Sequence, residues 1–326
     1  MPGRGRTSMG FFNHDRYVEI TMHFKCNLHC EHCMIEETMD RLTPQTLTRF
    51  DEVLEHNRVH RRWDGLVLTG AEVTLRRDLA DLARRARDGG FRHVRIQTHG
   101  MRLADQAYCR ELVEAGIDEY FVSVTSGDAE THDAITGVPG SFERTLQGLE
   151  NLDRYPDVVT ITNTVVTRRS YVHLPAVVKR LGHLRRLVEM DFWGYWPMGE
   201  TDPKDLLVSH VEAAPYLQNA VRLARDLGRA VEVKNFPECL LGDDREALEN
   251  HQPKLLIDPD FWKEFHRNGF DQCIHRPTCE SRRCLGLNTA YVTKFGWQTE
   301  SLVPIVLPRM AMAEVLKEDL TLGTHG

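Results

Sequence analysis

The stretch Cys26-Asn27-Leu28-His29-Cys30-Glu31-His32-Cys33 spaces three cysteines as CxxxCxxC directly behind the apolar, β-branched run Tyr17–Phe24. A strand followed by three thiols on one tight loop predicts a metal-binding turn held at a strand end. Three thiolates can ligate three irons of a [4Fe–4S] cluster, leaving the fourth iron without a protein ligand. An open position of this kind separates catalytic from structural metal sites. The spacing also leaves open a zinc ion completed by His29, His32 or His23.

Working outward, further strand signals fall at Gly65–Thr69, His93–Thr98, Tyr120–Val124, Val159–Val166, Leu187–Trp193 and Ala230–Asn235. Helical patterns lie between them. Thr43-Pro44 reads as an N-cap with proline at the first helical position, opening a helix to about His56. Asp78–Asp88 carries Leu79, Leu82, Ala83 and Ala86 on one face and stops at Gly89-Gly90. Asp105–Ala115 ends at Gly116. Ser141 reads as the cap of a helix with Phe142, Leu146, Leu149 and Leu152 on one face, and further helices fit about Tyr171–Leu181 and Glu212–Leu227. Such alternation implies βαβ units and a parallel sheet with right-handed crossovers. Six units make an α/β partial (βα)6 barrel or a doubly wound sheet, and in both ligands bind beyond the carboxyl ends of the strands. After about Asn235 the alternation stops.

Composition narrows the class. The 326 residues, 41 % hydrophobic, suffice for a sizeable core, and a formal net charge of −7 argues against nucleic acid and anionic membranes as partners. Doublets such as Arg61–Arg62, Arg84–Arg85 and Arg168–Arg169 are scattered among acids and read as solvated faces. No apolar run approaches the ~20 residues of a membrane span, and Met1–Phe12 lacks a signal-peptide core. A cytoplasmic location is therefore expected. Eight cysteines in such a chain point to metal or redox chemistry instead of disulfides.

The cysteine loop, followed by a helix, a strand and then Thr69-Gly70-Ala71-Glu72, resembles the radical S-adenosylmethionine (SAM) superfamily. The resemblance implies that the open iron chelates the amino and carboxylate groups of SAM, and that one electron breaks its C5′–S bond to give a 5′-deoxyadenosyl radical. It assigns Gly70, Ala71 and Glu72 to the methionine ammonium, although Ala71 stands where the family's GGE segment has a second glycine. It places His32 against adenine, where an aromatic residue is usual. Gln97-Thr98-His99-Gly100 resembles the polar turn after strand three, giving Thr98 a role beside Ser123, Asn163 and Val165 around the SAM ribose, carboxylate and adenine.

Cys239 and the Cx5Cx4C run Cys273, Cys279, Cys284 resemble the shortened auxiliary-cluster extensions of the SPASM/twitch subgroup. Four thiolates suffice for a second [4Fe–4S] cluster. Structural zinc and three-cysteine ligation with an open iron remain alternatives. Cys109 shares a helix face with Leu112 and Val113 and reads as a core thiol, with a hydrogen-atom donor as the alternative. The aromatic strand end Phe192–Glu200 offers Trp193, Tyr195, Trp196 and Glu200 as substrate contacts.

The expected organisation is a radical SAM partial barrel over 15–235, an auxiliary-cluster extension over 236–309 and a C-terminal tail over 310–326. The expected activity is hydrogen abstraction from a small polar metabolite (a sugar, nucleoside or amino-acid derivative), fed by an electron donor such as flavodoxin or ferredoxin. A maturase acting on a ribosomal peptide and a non-enzymatic zinc or iron–sulfur module binding a partner protein are the competing classes. Only about sixteen residues precede the first strand, which disfavours a ribosomal peptide substrate without excluding it.

Overall fold

Runs that are apolar on both faces predict strands covered on both sides, and β1 (Tyr17–His23) and β2 (Gly65–Gly70) are buried along almost their whole length. The computed structural model describes residues 11–35 and 40–306; the expected tail over 310–326 lies outside them. After β1 come α1 (Leu47–His60), β2, α2 (Leu79–Asp88), β3 (His93–Thr98), α3 (Gln106–Glu114), β4 (Glu119–Ser123), α4 (Ala129–Thr136) and α5 (Ser141–Leu152). Then follow β5 (Val159–Val166), α6 (Leu174–Leu181), β6 (Leu187–Gly194), α7 (His210–Asp226), β7 (Ala230–Lys234), β8 (Lys254–Leu256), α8 (Pro259–Phe265) and α9 (Thr289–Phe295). The strands form one sheet in the order β7-β6-β5-β4-β3-β2-β1-β8, parallel throughout. It curls into the half-barrel that the alternation predicts.

The helices pack on the outer face. Leu79, Leu82, Ala83 and Ala86 of α2 and Phe142, Leu149 and Leu152 of α5 join Ile20, Leu68 and Ile96 in the main core. Each fully buried Leu or Phe contributes about 1.5–3 kcal/mol. Cys109 lies in this core with Leu112, and burial pushes its thiol up to about 11.

Two helix starts differ from expectation. The first helix begins at Leu47 with Thr46 as cap, its hydroxyl accepting from Arg49 N at 3.1 Å. Thr43 N instead donates to Asp258 Oδ2 at 2.8 Å, which ties this segment to the start of α8. At α5, Gly140 (φ 77°) takes the cap position, and Asp133 Oδ1 accepts from both Phe142 N and Ser141 Oγ at 2.8 Å. A tertiary carboxylate thus replaces the local hydroxyl.

The segment from Leu248 to Leu256 joins the two edges of the sheet. Leu248 bridges Val233 in parallel, Glu249 N donates to Val233 O at 2.9 Å, and Lys254–Leu256 then pairs with Val18–Ile20. Three residues reading Lys-Leu-Leu carry no strand signal of their own. Inside the barrel the floor is charged. Arg95 bonds Glu119 at 2.9 Å, and Lys234 Nζ donates to Glu232 Oε2 at 2.8 Å. Ligand atoms of Glu189, Asp191 and Glu232 lie within 4.8 Å of one another. Burial pushes Asp191 up to about 8 and Glu19 up to about 7, and raises Glu189 well above the carboxylate range.

Candidate active site

Glycine is required where β1 and β2 end. A Cβ on Gly70 (φ 148°) would lie 1.8 Å from His23 O. That close approach lets Ala71 N donate to His23 O at 2.8 Å and Glu72 N to Lys25 O at 3.1 Å. The cysteine loop is thereby held against the second strand end. On its other side α4 provides the support, with His29 N donating to Thr136 O and Glu31 N to Ile135 O, both at 2.9 Å. Arg169 bridges Glu31 at 2.9 Å. Leu28 N points at Cys26 Sγ at 3.4 Å, and burial pushes that thiol up to about 11.

A cavity of ≈ 290 Å³ opens beyond these strand ends, lined by Cys26, Cys30 and Cys33. The structure brings His32, Gly70, Ala71, Thr98, Ser123, Asn163 and Val165 into the same lining, along with Trp193, Tyr195 and Trp196. Asn163 Oδ1 and Trp196 Nε1 are buried there without hydrogen-bond partners. Unpaired buried polar atoms cost free energy unless a ligand supplies the missing partner. Trp196 packs against both Phe265 and Phe270, with ring centroids 5.2 and 3.9 Å away. Burial lowers His32 and His132 to about 4 and also lowers His99, so these rings are neutral near pH 7.

Two expected contacts lie elsewhere. Glu200 is exposed and absent from the lining. Glu72 is fully buried, and its carboxylate serves the protein itself. Its oxygens accept from Thr74 N at 3.0 Å, Thr98 Oγ1 at 2.7 Å and His99 N at 2.9 Å. Met101 N donates to His99 Nδ1 at 3.2 Å, so the proton of the neutral ring sits on Nε2 and is donated to Asn27 Oδ1 at 2.8 Å. Glu72 therefore positions the turn after β3 and, through His99, the cysteine loop.

Sequence reading missed His132, Thr136 and Asn235 in the lining. For His132 a signal existed: Asp128 caps α4 by accepting from Thr131 N at 2.8 Å, an ordinary N-cap pattern. Asn235 carried none.

The C-terminal cysteines converge. Cys239, Cys273, Cys279 and Cys284 line one small cavity with Pro237, Leu287, Leu302 and Ile305. Ile305 N points at Cys279 Sγ and Gly286 N at Cys284 Sγ, each at 3.4 Å, and Val303 N bonds Cys239. Burial raises the Cys239 and Cys284 thiols, so holding them as thiolates requires a nearby positive charge.

The chain belongs to the radical SAM superfamily, whose sequence profile matches residues 20–181. It is 37 % identical over 150 residues to the AdoMet-dependent heme synthase of Methanosarcina barkeri, covering 44 % of this chain and 41 % of that protein. It is 34 % identical over 156 residues to a probable GTP 3′,8-cyclase of Saccharolobus islandicus, covering 47 % and 48 %. The chain thus spans under half the length of these two curated relatives. In fold it is similar to Streptococcus suis SuiB bound to precursor peptide SuiA, with a TM-score of 0.55 at 14 % identity over 68 % of this chain and 49 % of that one.

Proposed function

We propose that this chain is a radical SAM enzyme whose Cys26, Cys30 and Cys33 hold a [4Fe–4S] cluster, and whose four C-terminal cysteines hold an auxiliary one. The observation that carries the reading is the shared cavity. Three thiols of one loop and the strand-end residues Gly70, Ala71, Ser123, Asn163 and Val165 line a single space, and two of its lining residues carry buried polar atoms without a partner among the described residues. When bound, the first cluster supplies the electron that breaks the C5′–S bond of SAM. The protein's own part is to orient SAM along the strand ends, exclude water and set the distance to the substrate C–H bond. An electron donor such as a flavodoxin or ferredoxin is implied.

The substrate class we favour is a small polar metabolite, a sugar, nucleoside or amino-acid derivative, bound in the cavity that the aromatic strand end Trp193, Tyr195 and Trp196 also lines. The names of the curated relatives, a heme synthase and a GTP cyclase, also point to small molecules. The fold likeness to peptide-bound SuiB keeps a single peptide side chain as the second reading. Anaerobic reconstitution tests the proposal. The chain should bind about eight irons with matching sulfide and release 5′-deoxyadenosine from SAM and dithionite. Zinc without sulfide, and intact SAM, would sink it.

A further inference from the structure

The four-cysteine cavity holds one polar group that the four thiols do not account for. Its walls at Pro237, Leu287, Leu302, Val303 and Ile305 are apolar. Glu238 and Ser281, which also line it, are bonded to one another, and Arg283 Nη2 donates to Glu238 Oε1 at 3.1 Å. His275 is different. It lies on the turn between Cys273 and Cys279, where its carbonyl accepts from Thr278 N at 3.0 Å and Cys279 N at 2.8 Å. These bonds fix the residue against the cavity it lines, and its Nε2 is buried without a hydrogen-bond partner.

Backbone N–H groups of Val303 and Ile305 serve Cys239 and Cys279, and those of Glu238 and Gly286 serve Cys284. Cys273 stands two positions before His275. Beside an apolar cavity rich in sulfur, a buried Nε2–H with no other acceptor finds one in that sulfur, and low polarity around it strengthens the bond. Hydrogen bonds to cluster sulfurs stabilise the more negative, reduced state and raise the potential.

We propose that His275 Nε2–H donates a hydrogen bond to a sulfur of the cluster held by Cys239, Cys273, Cys279 and Cys284, and thereby raises its reduction potential. This rests on the iron–sulfur reading of that site. His275 is a positioning and tuning residue: the four thiolates complete the ligand set without it.

The test uses the full chain, reconstituted anaerobically, with His275→Phe and His275→Gln beside wild type. Iron and sulfide are counted. The second cluster, recognised as the signal that SAM does not perturb, is titrated by EPR. His275→Phe should keep its iron and move the midpoint to lower potential, and His275→Gln, which retains an N–H donor, should restore the midpoint. A wild-type midpoint in His275→Phe would overturn the assignment and leave the ring a packing group. Loss of about four irons in both variants would also overturn it, making the ring a ligand. If wild type binds only about four irons, the auxiliary-cluster reading itself fails and the His275 role falls with it.

Discussion

The three N-terminal thiols lie within eight consecutive residues, between a buried parallel strand and the end of α4. The four C-terminal thiols come from two segments far apart in sequence, with few regular elements near them. Cys239 follows β7, whereas Cys273, Cys279 and Cys284 lie on turns and irregular chain between α8 and α9. The first site is preorganised by the barrel. Backbone bonds tie its loop to the end of β2 and to α4. The second site depends on thiols meeting across a cavity, so the cluster proposed there would contribute directly to local folding.

That contrast breaks first at the larger effect. Cys26, Cys30 and Cys33 changed together to Ala should abolish 5′-deoxyadenosine formation while about four irons and the melting behaviour of the barrel persist. Undiminished SAM cleavage would remove the first site from the chemistry.

Next, Cys239→Ala should lose about four irons and render the region around residues 270–286 sensitive to limited proteolysis, with SAM cleavage in the presence of dithionite retained. A variant that stays protease-resistant with full iron would show that Cys239 only packs.

A smaller effect sharpens the account of preorganisation. Glu72→Ala leaves Thr98 Oγ1, His99 N and Thr74 N without their acceptor, which should cost about 3 kcal/mol in anaerobic unfolding. Displacement of Thr98 and the cysteine loop should weaken SAM binding about tenfold, readable by calorimetry and equivalent to about 1.4 kcal/mol. Weakened SAM binding with unchanged stability would instead make Glu72 a direct contact.

The smallest effect concerns the floor beneath the first site. Burial is the main cause of the raised Asp191 and Glu19, so both bind their proton more tightly folded than unfolded. Their stabilisation is complete below about pH 4, falls as pH rises, and is lost near pH 7 for Glu19 and near pH 8 for Asp191. The slope can reach about 1.4 kcal/mol per pH unit for each group. Melting of Asp191→Asn between pH 5 and 9 should be flatter than wild type. Parallel curves would place that carboxyl in contact with water.

The barrel was legible because parallel strands buried on both faces and helices with one apolar stripe write their periods into the sequence, as in β2 and α2. The cysteine loop was legible because its spacing is local. What escaped depends on distant partners. Asp133 displaces Ser141 as the cap of α5, Glu72 turns inward toward Thr98 and His99, and His132 reaches the cavity from a helix that the pattern did not single out. Glu200 shows the converse, an aromatic-rich strand end whose last acid has already left the site.

The short strap from Leu248 to Leu256 also bears on how the chain reaches its folded state. Thr21 Oγ1 donates to Leu256 O at 2.8 Å across 235 residues of sequence. Contacts so distant in the chain form late and slowly. During synthesis β1 therefore emerges with one edge unpaired and keeps it so until residue 256 has been made. A free, largely apolar strand edge is a template for association with other chains. Expression yield should thus depend on how quickly these nine residues can lace the two margins of the sheet together.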